Sequence, residues 1–224
     1  MASISGDVTN NFLQVFPSLA PKIVEIENIL SPSFVRKRAE LQDVDKEIRH
    51  EGTITLLSVG RFSDAKNYDN VPDICKRLIN ETKLNIKWYI IGYGGDEALI
   101  RKKIKEAGME EHVILLGKRS NPYPYIKACD IYVQPSRYEG KSVTVREAQM
   151  LCKPVVVTNY PTAPSQIRSG IDGVIVPMDN EGCANGLAKV ICDKPLQERI
   201  IAHLKTHDYG NESEVEKIYK LINE

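Results

Sequence analysis

Ile131-Tyr-Val-Gln-Pro-Ser-Arg-Tyr-Glu139-Gly-Lys-Ser-Val-Thr-Val-Arg-Glu147 decides how this chain folds. Its first three residues form a short β-branched and aromatic run, the composition of a strand. Gln134 to Gly140 is polar and small, the composition of a loop. Ser142-Val143-Thr144 then opens an amphipathic stretch over about 143–151, with serine where a helix N-cap is expected. A second strand-length run, Pro154-Val-Val-Val-Thr158, follows. Strand, loop, helix and strand in that order make a βαβ unit, which implies parallel strands joined by a right-handed crossover.

The same alternation extends in both directions. Thr53–Val59, Ile86–Ile91, His112–Leu116 and Gly173–Val176 are further apolar, β-branched runs. Amphipathic segments at about 69–81, 96–107, 121–128 and 180–192 separate them. Six strands alternating with helices predict an α/β, Rossmann-like three-layer domain around a parallel six-stranded sheet. Residues 1–52 read differently. Phe12 to Phe16 looks like a helix end, Lys22–Glu27 like a strand, and 36–50 like a linker or exposed helix too poor in large apolar residues to form a core. The last part, about 195–223, predicts two helices broken at Asp208–Asn211.

Composition excludes several classes. The chain has 224 residues, 42% hydrophobic and 27% charged, with 30 basic and 30 acidic side chains. Zero net charge argues against general nucleic-acid binding, which rests on excess cationic charge. The basic runs Arg36–Arg38 and Arg101–Lys103 read as solvated helix faces, with a membrane-surface patch as the lesser alternative. No pair of the five cysteines has CxxC spacing, so they read as reduced core thiols. His203 and His207, four apart, read as a surface pair and not as a metal site. No signal peptide and no run of about 20 apolar residues is present.

In a parallel sheet, ligands gather at the carboxyl ends of the strands. There this chain places Gly60 with Arg61 and Lys66, the Gly92–Gly95 turn, Gly117 with Lys118 and Arg119, and Gln134 to Gly140. For any one glycine, a turn requirement is the plain alternative. Arg61 and Lys66 supply two fixed cations of the kind a diphosphate needs, and their place after the first strand favours that over plain surface charges. The N–H groups of Ser142, Val143 and Thr144 open a helix and suit an anion. Glu139 and Glu147 would repel phosphate alone. They suit a ligand with hydroxyl groups as well, such as a nucleotide sugar, because a carboxylate accepts two hydroxyl donors. An exposed loop glutamate plus a helix-surface glutamate remains the alternative. Backbone groups at Lys118 and Arg119 could read a base edge, and Gly92 would let the chain approach the ligand. Gly-Tyr-Gly-Gly is not a dinucleotide fingerprint.

The chain resembles the C-terminal, donor-binding half of group-1 glycosyltransferases, family 4, retaining enzymes with the GT-B fold. The resemblance covers about 53–192. It rests on Val59-Gly-Arg-Phe with Lys66, Ile90-Ile-Gly-Tyr-Gly-Gly, Leu116-Gly-Lys, Ala128-Cys-Asp-Ile-Tyr-Val-Gln-Pro-Ser-Arg-Tyr-Glu-Gly140, Val145-Arg-Glu-Ala-Gln-Met and Lys153-Pro-Val-Val-Val-Thr. It implies Arg61 and Lys66 on the diphosphate, Glu139 on the transferred sugar and Glu147 on the ribose. It also implies a UDP-sugar or GDP-sugar donor and no metal or other cofactor. Residues 3–30 are similar to the family's last helix and strand before the hinge, whereas Ser31–Asp45 matches no part of the pattern. The resemblance therefore predicts a fragment: 1–50 as a remnant of the N-terminal domain and hinge, 51–194 as the nucleotide-sugar domain, and 195–224 as C-terminal helices. The acceptor, a glycan or lipid-linked saccharide, would bind an absent N-terminal domain. The fragment would bind nucleoside diphosphate weakly and turn nothing over. The implied setting is bacterial surface polysaccharide synthesis in the cytoplasm, with peripheral contact at the inner face of the membrane. A nucleotide-sugar epimerase half and a non-catalytic nucleotide-binding module are the competing readings.

Overall fold

The computed structural model describes residues 2–3 and 6–223. Near the N-terminus, β1 (Ala2–Ser3) and β2 (Val24–Glu25) pair in parallel, flanking helix α1 (Gly6–Val15). The expected Lys22–Glu27 strand is this short because a Pro-containing 3-10 turn occupies Pro17–Lys22. The main sheet consists of β3 (Thr53–Val59), β4 (Asn85–Ile91), β5 (Val113–Gly117), β6 (Ile131–Gln134), β7 (Val155–Thr158) and β8 (Val174–Val176). All six pair in parallel, in the order β5-β4-β3-β6-β7-β8. The chain runs outward from β3 to β5, returns to lay β6 beside β3, and runs outward again to β8. The point of reversal lies between β3 and β6, the place where such sheets hold a ligand crevice beyond the carboxyl ends of the strands.

Side-chain alternation explains why both faces are covered. Leu56, Ile86, Trp88, Ile90, Val133 and Val156 pack on one face with helices α4 (Val71–Thr82), α5 (Glu97–Ala107) and α9 (Asn180–Cys192). Leu57, Val59, Tyr89, Ile91, Tyr132, Val155 and Val157 pack on the other with α6 (Tyr123–Ala128) and α7 (Val143–Met150). The strands are near-continuously apolar for this reason.

The charged stretch 36–50 is not a linker. Helices α2 (Pro32–Ala39) and α3 (Asp45–Ile48) lie here, with Val35, Ala39, Val44 and Ile48 buried. Ser31 caps α2 by accepting from the Phe34 N–H at 3.4 Å, and α2 packs against α6 and α7. Four small or medium apolar residues at helical spacing suffice because the sheet's own helices provide the rest of the core. A short helix absent from the sequence-based expectation, α8 (Ala163–Gln166), follows β7. The predicted C-terminal pair is α10 (Lys194–Thr206) and α11 (Glu214–Asn223). Between them the chain returns to the N-terminal segment. The Leu30 N–H donates to Asn211 Oδ1 at 2.7 Å, the Asn211 N–H to the Leu30 carbonyl at 3.2 Å, and the Glu27 N–H to Glu214 Oε2 at 3.0 Å.

Candidate functional site

The loops after β3 and β6 meet at the switch point. Lys66 closes a 3-10 turn, Asp64–Lys66, and its Nζ reaches Glu139 Oε1 at 2.5 Å. The loops are also tied through Arg137, which grips both carboxylate oxygens of Asp69 at 2.9 Å each. Arg137 also donates its own N–H to the Ala65 carbonyl at 2.8 Å. Two planar, charge-assisted bonds of this kind fix direction as well as distance. Lys66 and Glu139 are thus held by the same frame, and both side chains are largely shielded, at 18% and 10% exposure.

Gly60 is required by this packing. A Cβ there would lie 2.8 Å from the Tyr68 hydroxyl and 3.1 Å from Lys66 Cε. Gly92 backs it from the neighbouring loop: a Cβ on Gly92 would stand 1.9 Å from the Gly60 carbonyl oxygen. The expected close approach at Gly92 is therefore backbone against backbone, with the Phe62 N–H donating to the Tyr93 carbonyl at 2.8 Å. Arg61, one residue beyond Gly60, is exposed and has no ion pair among the described residues.

Glu139 Oε1 accepts from two more donors, Ser136 Oγ at 2.6 Å and Gln134 Nε2 at 3.1 Å. Gln134 and Ser136 are fully buried, as are Tyr68 and Tyr132 beside them. Burial first, and the Glu139 charge second, raise the Tyr68 phenol well above its usual range. Sequence reasoning did not single out Gln134 and Ser136. The available signal was a polar residue closing an apolar strand and a serine three residues before the loop glutamate.

Gly140 leads into α7. Ser142 sits at the N-cap, but its hydroxyl contacts Thr144 Oγ1 at 3.2 Å and makes no cap bond to the helix backbone. Its N–H and carbonyl are clamped by the Gln166 amide, at 3.0 and 2.7 Å. The N–H groups of Val143 and Thr144 follow at the open end of the helix. A cavity of about 410 Å³ borders this end, lined in part by Lys141, Ser142, Val143 and Arg146. One turn further, Glu147 is 7% exposed and accepts from the Tyr123 hydroxyl at 2.8 Å. Burial raises its proton affinity and the tyrosine bond opposes that. It is not a helix-surface residue.

The side chains of Lys118 and Arg119 have their partners outside this cluster. Lys118 Nζ sits 5.0 Å over the Tyr93 ring. The Arg119 guanidinium is drawn to Glu47 at 2.8 Å and to the Tyr125 hydroxyl at 3.0 Å, so its side chain is committed to α3 and α6. His203 and His207 stack 3.6 Å apart, and Arg168 donates to His203 Nε2 at 2.8 Å. Among the described residues no cluster of three or more His, Cys, Asp or Glu is arranged to hold a metal ion. Cys75, Cys129 and Cys183 are buried thiols, whereas Cys192 is exposed and so is no core residue.

The sequence profile of the family described as glycosyl transferases, group 1, matches residues 41–207. The chain belongs to this family. The match takes in all six strands of the main sheet and also α3, which lies N-terminal to the motif-bearing stretch 53–192. Among curated relatives, the chain is 29% identical over 203 residues to N-acetylgalactosamine-N,N'-diacetylbacillosaminyl-diphospho-undecaprenol 4-alpha-N-acetylgalactosaminyltransferase of Campylobacter jejuni, covering 89% of this chain and 52% of that protein. It is 25% identical over 223 residues to the amylovoran biosynthesis glycosyltransferase AmsD of Erwinia amylovora, covering 92% and 63%. The chain thus spans between half and two thirds of the length of these relatives. In fold it is similar to Anabaena Alr3699/HepE, solved with UDP and glucose, with a TM-score of 0.81, 19% identity, and coverage of 99% of this chain and 62% of that one. Among the described residues no helix is long and apolar enough to cross a membrane.

Proposed function

We propose that the crevice between β3 and β6 binds a nucleotide-sugar donor for a retaining glycosyl transfer to a glycan or lipid-linked acceptor. The observation that carries this reading is the meeting of Lys66 and Glu139 at the switch point, beside the open start of α7 and in the loop that also holds the exposed Arg61. Cations and helix N–H groups suit the diphosphate. As the sugar–phosphate bond breaks, the same groups stabilise the charge that develops on the leaving diphosphate. Glu139 then accepts hydroxyls of the transferred sugar. Glu147, one turn deeper and bonded on one oxygen only among the described residues, accepts those of the ribose. Lys66 and Arg61 supply the positive charge a metal would otherwise supply, so a chelator is expected to leave binding unchanged.

UDP is the first nucleotide to test, since the structurally similar HepE was solved with it; GDP is the second. The names of the C. jejuni and E. amylovora relatives support a role in glycan assembly, the former on a diphospho-undecaprenol-linked saccharide and the latter in amylovoran biosynthesis. Titration calorimetry is expected to show UDP or GDP binding that falls at least tenfold in Arg61→Ala/Lys66→Ala. No heat with either nucleotide, or undiminished binding in the double variant, overturns the assignment.

A further inference from the structure

Three donors converge on one oxygen of Glu139, and they are not equivalent. Lys66 is charged and flexible, and the donor-site reading assigns it to the diphosphate. A lysine that turns toward a diphosphate relaxes its hold on Glu139. Ser136 and Gln134 are neutral, fully buried and fixed by their own partners. Gln134 Oε1 accepts from the Tyr132 hydroxyl at 2.9 Å and from Thr144 Oγ1 at 3.4 Å. Both hydroxyls are placed to donate, so the amide is oriented with its nitrogen toward Ser136 and Glu139. Gln134 Nε2 donates to Ser136 Oγ at 2.8 Å, and Ser136 uses its single proton on Glu139 Oε1. The main chain of the turn is pinned as well: Thr158 Oγ1 donates to the Ser136 carbonyl at 2.5 Å and Thr162 Oγ1 to the Glu139 carbonyl at 2.8 Å. Among the described residues, Glu139 Oε2 receives no hydrogen bond.

We propose that Ser136 and Gln134 are positioning residues that hold Glu139 by Oε1 and present Oε2 to the transferred sugar while Lys66 serves the diphosphate. This rests on the donor-site reading and adds to it which oxygen faces the ligand and what keeps it there. The path Glu139–Gln134–Thr144 also connects the sugar-facing carboxylate to the start of α7, so the two halves of the site share one hydrogen-bonded frame.

Ser136→Ala removes the shortest neutral bond without adding volume, and a thermal melt checks that the fold persists. Calorimetry would then compare the tightest-binding of UDP-glucose, UDP-N-acetylgalactosamine and GDP-mannose with its matching nucleoside diphosphate. The expected result is about a tenfold weaker affinity for the nucleotide sugar, the scale of a lost bond to a charged group, with the diphosphate unchanged. Glu139→Ala should show the same pattern, and adding Ser136→Ala to it should change nothing further. Equal weakening of both ligands, or no weakening of the nucleotide sugar, overturns the positioning role. So does a wild-type protein that binds the diphosphate but none of the sugars. Binding of no nucleotide at all by the wild type instead removes the donor-site reading beneath it.

Discussion

Glu147 shows at the scale of one side chain how the proposed site is held against the fold's own interest. Its carboxylate is buried, and the Tyr123 hydroxyl is its one side-chain hydrogen-bond partner among the described residues. Because burial raises its affinity for a proton, the folded state binds that proton more strongly than the unfolded chain does. Its contribution to stability is therefore fully present below the ordinary carboxylate range and is lost as pH rises through the raised value. Glu147→Gln should melt a few degrees higher than wild type near pH 7 and flatten the pH dependence of melting between pH 4 and 7, while weakening nucleotide binding. A variant that melts lower would show that the charge is better compensated than its surroundings indicate. The sequence made Glu139, Glu147, Arg61 and Lys66 visible because formal charge at a strand end is conspicuous. It did not expose Gln134, Ser136 or the Arg137–Asp69 clamp. The signal at Gln134 and Ser136, neutral polar groups beside a loop glutamate, is faint next to formal charge, and the clamp joins residues 68 positions apart.

Among the elements, the six strands and their helices were legible because apolar periodicity is local and both faces of the sheet are buried. Helix α2 was not, because its burial depends on α6 and α7, elements some 90 or more residues away, and not on its own composition. Helix α9 carries a similar tertiary demand. Gly186 sits in its middle, where alanine would ordinarily be better by about 1 kcal/mol. Here a Cβ would lie 2.4 Å from Val176 Cγ1 on β8. Overpacking should outweigh propensity, so Gly186→Ala is expected to destabilise the protein by about 1–3 kcal/mol in urea unfolding. A stability gain would mean that α9 and β8 can part without loss.

For the whole molecule, the parallel six-stranded sheet and its two-sided core follow from pattern, whereas the return of the C-terminal chain to residues 27–30 does not. That contact is carried largely by main-chain groups and by Asn211, whose amide bonds both Leu30 and Asn28. Asn211→Ala should speed amide exchange at Leu30 about five- to tenfold, the scale of one lost hydrogen bond, and leave the protection of β3 and β4 unaltered. Uniform loss of protection would show instead that the contact supports the global fold. The geometry has a mechanical consequence. A segment tethered to a body by one strand of chain can spin about that tether. Residues 24–30 and 208–214 run out side by side and are stitched together, so α1 and α11 are held by a double strap beside the start of α7. Such a joint resists twist more than it resists bending, as a page does at its spine.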